Sequence, residues 1–146
     1  MRRIVIGVVL LAHLAGCGFQ ETTPQTTTSV VVSTSVPELI QASGQRSGPP
    51  TVAAQKKLLQ LGFWLASIDG RYEDTTRQAV MAFQKYYKLK PTGSISSGTA
   101  YLLDRVKRSA QALSREGTLA EVDKQRQLLF IIKDGTTVAV LNASTG

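Results

Sequence analysis

The chain has one cysteine and one histidine, Cys17 and His13, and both lie close to its N-terminus. A thiolate beside an imidazole is the usual basis of cysteine nucleophilic catalysis, and clustered cysteine and histidine residues bind zinc. Neither arrangement can form in the remainder of the chain, and a disulfide needs a second cysteine. The sequence therefore predicts no catalytic residue, no metal site and no cofactor in this chain, which favours a role in binding.

Four side chains near one predicted turn have the chemistry of a carbohydrate or peptide site: Trp64, Asp69, Arg71 and Tyr72. An aromatic face can pack on a sugar ring, and an arginine can pair with a carboxylate. Three of these residues also have a structural alternative. Tyr72 can fill the core, Asp69 can cap its own turn, and Trp64 can cover a helix. The sequence leaves both interpretations open.

Three short helices joined by two related turns must position these side chains, and they are predicted to fill residues 51–108. Thr51 can cap the first helix, and Gly62 can end it, as glycines at helix C-termini do. Asp69-Gly70 then forms the first turn, because Gly70 can take a positive φ without steric cost. The candidate side chains thus surround the junction between the first two helices.

The capping-box spacing of Thr75 and Gln78 predicts the start of the second helix. The second turn surrounds Gly93, after which Ser96 or Ser97 can cap the third helix. Apolar residues at helical spacing predict the inward faces of the second and third helices: Ala79, Val80, Phe83, Tyr87, Leu102, Leu103 and Val106.

Residues 109–120 are expected to form a linker or an extension of the third helix, through Leu113 toward Gly117. Residues 121–146 contain two strand-like runs around Asp134-Gly135, a strong signal for a β-hairpin. The predicted fold class is therefore mainly α. It consists of a small three-helix bundle with a C-terminal β-hairpin that belongs to an incomplete β domain.

Residues 1–16 have the pattern of a secretory signal peptide, in which Met1-Arg2-Arg3 precedes an apolar run of ~11 residues. The stretch Leu14-Ala15-Gly16-Cys17 resembles the bacterial lipobox, which implies cleavage before Cys17 and attachment of a diacylglycerol to its sulfur. A plain secretory signal with a coincidental cysteine is the alternative. Either interpretation places the protein outside the cytoplasm. With the lipobox, a lipid anchors it in the membrane, facing the cell wall or periplasm.

Residues 17–50 are rich in Thr, Ser and Pro and are expected to form a disordered tether, because such a composition cannot offset chain entropy. The formal net charge is +7. A basic balance suits nucleic acid, anionic lipid or an acidic wall polymer, although a solvated surface is the simpler explanation. Export argues against nucleic acid as a partner, and a monomer is expected.

The residues of the helical stretch resemble the three-helix peptidoglycan-binding domain of bacterial wall enzymes. The resemblance rests on Gln55, Leu58, Leu61-Gly62-Phe63, Asp69-Gly70-Arg71-Tyr72, Thr76, Ala79-Val80, Phe83-Gln84, Gly93, Thr99 and Leu102. Two positions depart from the family pattern. Glu73 stands where a glycine is common, and Thr92 stands where an acid is expected. The resemblance implies the three-helix fold and peptidoglycan as the partner.

The C-terminal stretch resembles the opening of an L,D-transpeptidase catalytic domain. The matching residues are Val122-Asp123, Gln127, Leu129, Ile131, Asp134-Gly135 and Ser144-Thr145-Gly146. In that family a histidine and a cysteine nucleophile follow further along the chain, so this chain is expected to be inactive as given. A fragment or a remnant of such an enzyme is the expectation.

Three functions remain open. The first is a lipid-anchored cell-wall protein that binds peptidoglycan non-catalytically through its helical domain. The second is the N-terminal part of an L,D-transpeptidase, which would cross-link stem peptides through a cysteine absent from this chain. The third is a folded spacer that positions partners and binds nothing. The missing nucleophile favours the first, and the basic charge favours binding to an anionic wall over a spacer.

Overall fold

The computed structural model describes residues 39–144, in which three helices precede three strands. In chain order these are α1 (Pro49–Gln60), α2 (Asp74–Tyr86), α3 (Ser97–Arg105), β1 (Leu119–Asp123), β2 (Leu128–Lys133) and β3 (Thr136–Asn142). Within this described part, no helix is long and apolar enough to span a membrane. The predicted signal peptide and the lipidation of Cys17 lie outside the described residues.

The C-terminal part is a three-stranded antiparallel sheet in the order β1-β2-β3, and the predicted two-stranded hairpin is incomplete. The backbone N–H of Arg126 donates to Asp123 Oδ1 at 2.8 Å, and Gln127 takes a φ of 53°, so a turn separates β1 from β2. The predicted turn at Asp134-Gly135 does join β2 to β3. Because the sheet adds three strands to the helices, the prediction of a mainly α fold is wrong.

The hydrophobic core runs from the helices into the sheet without a break. Phe63, Phe83 and Phe130 are fully buried. The ring centroids of Phe63 and Phe83 are 5.5 Å apart, and the ring of Tyr86 lies 5.9 Å from Phe63 and 6.3 Å from Phe130. The helical part and the sheet therefore share one core, which is larger than three short helices could bury alone.

The segment after α1 also pairs with the sheet through its backbone. Phe63 forms a parallel bridge with Val140 of β3. The N–H of Val140 donates to the carbonyl of Gly62 at 2.8 Å, and the N–H of Trp64 donates to the carbonyl of Val140 at 3.0 Å. These bonds cover part of the free edge of β3, which would otherwise expose unpaired backbone groups.

Two of the three predicted helix caps differ from the structure. Helix α1 begins at Pro49 after Gly48, and the hydroxyl of Thr51 donates to the carbonyl of Arg46 at 2.6 Å. Thr51 lies inside the helix because a proline at the first helical position starts it two residues earlier. The predicted third cap is confirmed, since Ser96 Oγ accepts from the N–H of Thr99 at 3.4 Å.

Helix α2 begins at Asp74, with Glu73 as a cap residue whose side chain accepts no hydrogen bond from the helix. The predicted capping box of Thr75 and Gln78 is therefore wrong. Asp74 places a carboxylate in the first turn of the helix, where it interacts favourably with the helix dipole.

The predicted extension of the third helix toward Leu113 does not form. Helix α3 ends at Arg105, and the side chain of Leu113 is 80% exposed. The N–H of Ala110 instead donates to the carbonyl of Leu61 at 2.8 Å. This bond holds the chain against the end of α1 and carries it toward the sheet.

Residues 39–50 belong to the predicted tether, yet they pack against the helical part. Gly44 pairs with Ile95 through two backbone hydrogen bonds of 3.0 and 2.9 Å, and the N–H of Gly48 donates to the carbonyl of Gly70 at 2.8 Å. Backbone hydrogen bonds to both turn regions thus order a segment whose composition alone predicts disorder. The prediction of a tether is wrong for these residues.

Candidate functional site

The first turn is built around the buried amide of Gln55 on α1. Its Oε1 accepts from the backbone N–H groups of Asp69 at 3.1 Å and Gly70 at 2.8 Å. Its Nε2 donates to Asp69 Oδ1, the carbonyl of Arg71 and Thr76 Oγ1, at 3.2, 3.1 and 2.9 Å. One side chain therefore fixes the backbone of the turn and ties it to both flanking helices.

The second turn repeats this construction with Gln84 of α2. Its Oε1 accepts from the N–H of Gly93 at 2.9 Å. Its Nε2 donates to Thr92 Oγ1 at 3.2 Å, the carbonyl of Ser94 at 2.9 Å and Thr99 Oγ1 at 3.1 Å. The two turns therefore share one arrangement. In each, a buried glutamine forms hydrogen bonds to the backbone of a glycine turn and to a threonine of the following helix.

The two departures from the family pattern fit this construction. Thr92 Oγ1 accepts from the N–H of Ser94 at 3.2 Å, as Asp69 Oδ1 accepts from the N–H of Arg71 at 2.9 Å. The hydroxyl of Thr92 thus accepts the same turn hydrogen bond that the expected carboxylate would accept. Glu73 has a φ of −109°, an extended conformation open to any residue, so a glycine is not required there.

Tyr72 joins the two turns, which makes it chiefly a structural residue. Its hydroxyl donates to the carbonyl of Gly93, and its backbone N–H donates to Ser47 Oγ at 2.9 Å. The side chain is half-buried, and this burial raises the pKa of Tyr72 to about 12, against a smaller opposite effect of Arg77. Only part of the ring remains available to a ligand.

Asp69 caps its own turn, as the structural alternative for this residue predicts. The N–H of Arg71 is the largest cause that lowers the pKa of the Asp69 carboxyl, followed by the amide of Gln55. Ser67 Oγ also donates to Asp69 Oδ2, at 3.0 Å. Both carboxylate oxygens are therefore engaged, and Asp69 serves the turn more than a ligand.

Arg71 and Trp64 remain exposed. Arg71 Nη2 lies 2.9 Å from Glu73 Oε1, with side chains 70% and 59% exposed, so this ion pair is weak and open to exchange. Trp64 is 46% exposed. Among the described residues, no hydrogen bond or ring contact joins the indole of Trp64 to the first turn. The structure therefore does not assemble the four predicted residues into one cluster.

The cleft beside the first turn is acidic. It has a volume of about 440 Å³ and is lined by Ala66, Ser67, Glu73, Asp74 and Thr75. The Glu73 carboxylate pairs with Arg71 and reduces the positive potential that this arginine offers to an anion. The surface suits hydroxyl groups of a sugar better than a free carboxylate.

A larger cleft lies away from the predicted site, between the end of α2 and the β1–β2 turn. Its volume is about 790 Å³, and its lining is Lys85, Lys88, Pro91, Leu113, Asp123, Lys124, Gln125, Arg126 and Gln127. Sequence reasoning missed it because its two walls are far apart in the chain, and the resemblance that includes Asp123 and Gln127 indicates no binding site there. The formal net charge of +7 was the only feature of the sequence that indicated a surface for anions.

Residues 47–103 match a family described as "Putative peptidoglycan binding domain". No curated protein matches the chain. Among solved structures, the chain is similar to the crystal structure of the L,D-transpeptidase from Xylanimonas cellulosilytica DSM 15894, with 36% sequence identity and a TM-score of 0.65. The match covers 73% of this chain and 52% of that one, so this chain spans about half the length of that relative.

Both glutamine-held turns lie inside the range that matches the family model. The predicted resemblances are thereby confirmed, while the signal peptide and the lipid anchor stay predictions. Residues 47–103 therefore match a peptidoglycan-binding domain family, within a chain whose fold is similar to that of an L,D-transpeptidase.

Proposed function

We propose that this protein binds peptidoglycan, without chemistry of its own, through the helical domain formed by α1, α2 and α3. The observation that carries the proposal is the family match over residues 47–103, in which both glutamine-held turns are intact. The formal net charge of +7 supports it, because peptidoglycan carries free carboxylates.

The protein works at the cell wall or in the periplasm as a monomer, held to the membrane by a lipid on Cys17. The family match and the transpeptidase relative support the wall location, and the lipobox-like stretch supports the anchor. Replacement of Cys17 by serine should move the protein from the membrane fraction to the soluble fraction. Retention of this variant in the membrane fraction would rule out the anchor.

Within the helical domain, Trp64 and Arg71 are the residues that contact the ligand, and Asp69 and Tyr72 position the turn that presents Arg71. Hydrogen bonding and burial support this division. Both carboxylate oxygens of Asp69 accept hydrogen bonds within the turn, and Tyr72 is half-buried. Trp64 and Arg71 are exposed and, in the part of the chain that the structure describes, no such hydrogen bonds engage their side chains. The indole would stack on a sugar ring, and the acidic cleft beside Arg71 would accept hydroxyl groups.

A second candidate function is the non-catalytic part of an L,D-transpeptidase. The 36% identity to such an enzyme, over a match that covers 73% of this chain, favours it. In that case the same domain would hold the wall polymer for a catalytic domain. The purified protein should then show no cross-linking of stem peptides, since its single cysteine is the proposed lipidation site. Turnover by the chain alone would contradict this.

Co-sedimentation with insoluble peptidoglycan tests the main proposal. The purified protein should pellet with the wall, and a monomeric protein of similar size and similar pI should stay in the supernatant. The variant Trp64→Ala should pellet less, whereas Tyr101→Ala, which removes another exposed aromatic side chain from α3, should pellet like the wild type. Pelleting no greater than that of the charge-matched protein would refute peptidoglycan binding.

A further inference from the structure

The cleft between the end of α2 and the β1–β2 turn is strongly basic. Lys85 and Lys88 line it from the helix side, and Lys124 and Arg126 line it from the turn. Asp123 is the one carboxylate among its lining residues. The acidic cleft beside the first turn has the opposite balance, so an anionic ligand would favour the basic cleft.

Neighbouring side chains hold Arg126 in the lining of this cleft. Its Nε donates to Asp123 Oδ2 at 2.6 Å. Its guanidinium carbon lies 4.9 Å from the ring centroid of Tyr86 and 5.5 Å from that of Phe130. Within the described range 39–144, its terminal nitrogens Nη1 and Nη2 have no hydrogen-bond partner. The arginine thus presents a fixed, unused pair of donors, which is the geometry that binds a carboxylate through two parallel bonds.

Lys85 supplies charge to the cleft but no free donor. Its Nζ donates to the carbonyl of Ala143 at 2.9 Å, and to the carbonyl and Oε1 of Gln127 at 3.3 and 3.4 Å. An ammonium has three protons, and these three contacts use them. Lys85 therefore joins the two walls of the cleft, while its charge adds to the positive potential inside.

Lys88 and Lys124 are exposed residues of the lining, and neither makes an ion pair with any described residue. Long, unpaired ammonium groups on both walls can approach an anion that enters between them. Gln125 and the apolar Pro91 and Leu113 complete the lining. This mixture of fixed charge, amide and apolar surface suits a short peptide better than a bare ion.

We propose that this cleft binds a free carboxylate of the peptide portion of peptidoglycan. The terminal nitrogens of Arg126 hold the carboxylate, and Lys88 and Lys124 attract it. The volume of about 790 Å³ accommodates a ligand of a few residues. The proposal rests on the proposed function and adds a second contact surface to it, one that recognises the peptide while the helical turn region contacts sugar.

Titration of the intact protein with a soluble stem-peptide fragment tests the assignment, with binding followed by calorimetry. The fragment with free carboxylates should bind, and the same fragment with its carboxylates amidated should bind at least about tenfold more weakly, since the paired charge is lost. Equal binding of the two forms would overturn the proposal. Inorganic phosphate that displaces the peptide at equal concentration would also overturn it, because the cleft would then be a general anion site.

A matched pair of charge-reversal variants tests the location. The double variant Lys88→Glu/Lys124→Glu should weaken binding of the fragment at least about tenfold. The double variant Lys56→Glu/Lys133→Glu changes the net charge equally at exposed positions outside the cleft and should bind like the wild type. Equal weakening by both pairs would show that only the overall charge matters and would refute the site.

Co-sedimentation separates this proposal from the proposed function. If the wild type fails to pellet with peptidoglycan, the proposed function itself is refuted. If the wild type pellets and the Lys88→Glu/Lys124→Glu variant pellets equally, while the acid and amide fragments bind alike, the cleft assignment alone is refuted. Arg126→Lys keeps the positive charge but removes the planar pair of donors, so a folded Arg126→Lys protein should lose the preference for the acid form.

Discussion

At the scale of single residues, Gln55 and Gln84 determine the two turns. Each is buried and replaces the backbone partners that a tight turn would otherwise lack. The sequence marks both as positions of a family pattern. It does not show their equivalence, because Gln55 and Gln84 lie at different distances in the chain from the turns they hold. Their role follows only from the folded hydrogen-bond network.

Replacement of Gln84 by alanine should lower the free energy of unfolding by about 3 kcal/mol, because buried donors and acceptors around Gly93 and Thr99 would lose their partner. Urea denaturation of the variant would measure the change. Gln60→Ala is the control, since Gln60 is exposed at the end of α1 and its side chain makes no hydrogen bond within residues 39–144. A loss no larger than that of the control would contradict the role of Gln84.

Tyr72 predicts a loss of stability at alkaline pH. Burial raises its pKa in the folded protein to about 12, above the ordinary value of 10.0, so the folded state favours the neutral phenol. This stabilisation is complete below pH 10 and disappears as the pH rises toward 12, because the ionised phenol cannot donate to Gly93. The free energy of unfolding should therefore fall more steeply above pH 10 in the wild type than in Tyr72→Phe. Parallel pH profiles would refute this.

At the scale of elements, local sequence predicts a turn well only where a glycine takes the positive φ that the turn requires. The Asp134-Gly135 turn was predicted because Asp-Gly is a hairpin signal. The β1–β2 turn was not, because it depends on the side chain of Asp123 and on a positive φ at Gln127, which is not a glycine. The same limit applies to the site residues. Tyr72 is half-buried because its hydroxyl reaches Gly93 in the second turn, a contact that the sequence around Tyr72 does not indicate.

Replacement of Gly135 or Gly98 by alanine should change the free energy of unfolding in opposite directions. Gly135 has a φ of 74°, and a Cβ there would clash with the backbone oxygen of Arg115. Gly135→Ala should therefore lower the free energy of unfolding by at least about 2 kcal/mol. Gly98 in α3 has open space around it, so Gly98→Ala should raise that free energy by about 0.5 kcal/mol. Equal effects in thermal unfolding would contradict this account of the β2–β3 turn.

At the scale of the whole molecule, the sequence predicts the helical domain and a C-terminal β-hairpin as separate units, with a linker or an extension of the third helix between them. The spacing of apolar residues is a local pattern, and it predicts the three helices that the structure contains. The contacts that unite them, such as Phe63 with Val140 and Tyr86 with Phe130, join residues far apart in the chain and leave no local pattern. Composition likewise could not show that residues 39–50 pack on the turns.

The shared core predicts that the helices and the sheet unfold together. Phe130 lies in β2 and is fully buried, so Phe130→Ala should lower the free energy of unfolding by about 3–5 kcal/mol. Because Tyr86 of α2 packs against Phe130, the loss should reach the helices as well as the sheet. Far-UV circular dichroism would follow the helices. The fluorescence of Trp64 would follow the junction between the helical part and the sheet, because the backbone N–H of Trp64 donates to Val140 of β3.

The two signals should give coincident denaturation curves in the wild type and in Phe130→Ala, as a small protein with one core unfolds in a single step. Phe83→Ala in α2 is the matched variant, since Phe83 is equally buried on the helical side. If it shifts both curves by a similar amount, the sheet is part of the folding unit that contains the two glutamine-held turns. Helical signal that persists in Phe130→Ala after the fluorescence transition would show instead that the helical domain folds alone, and the basic cleft would then open without loss of the first turn.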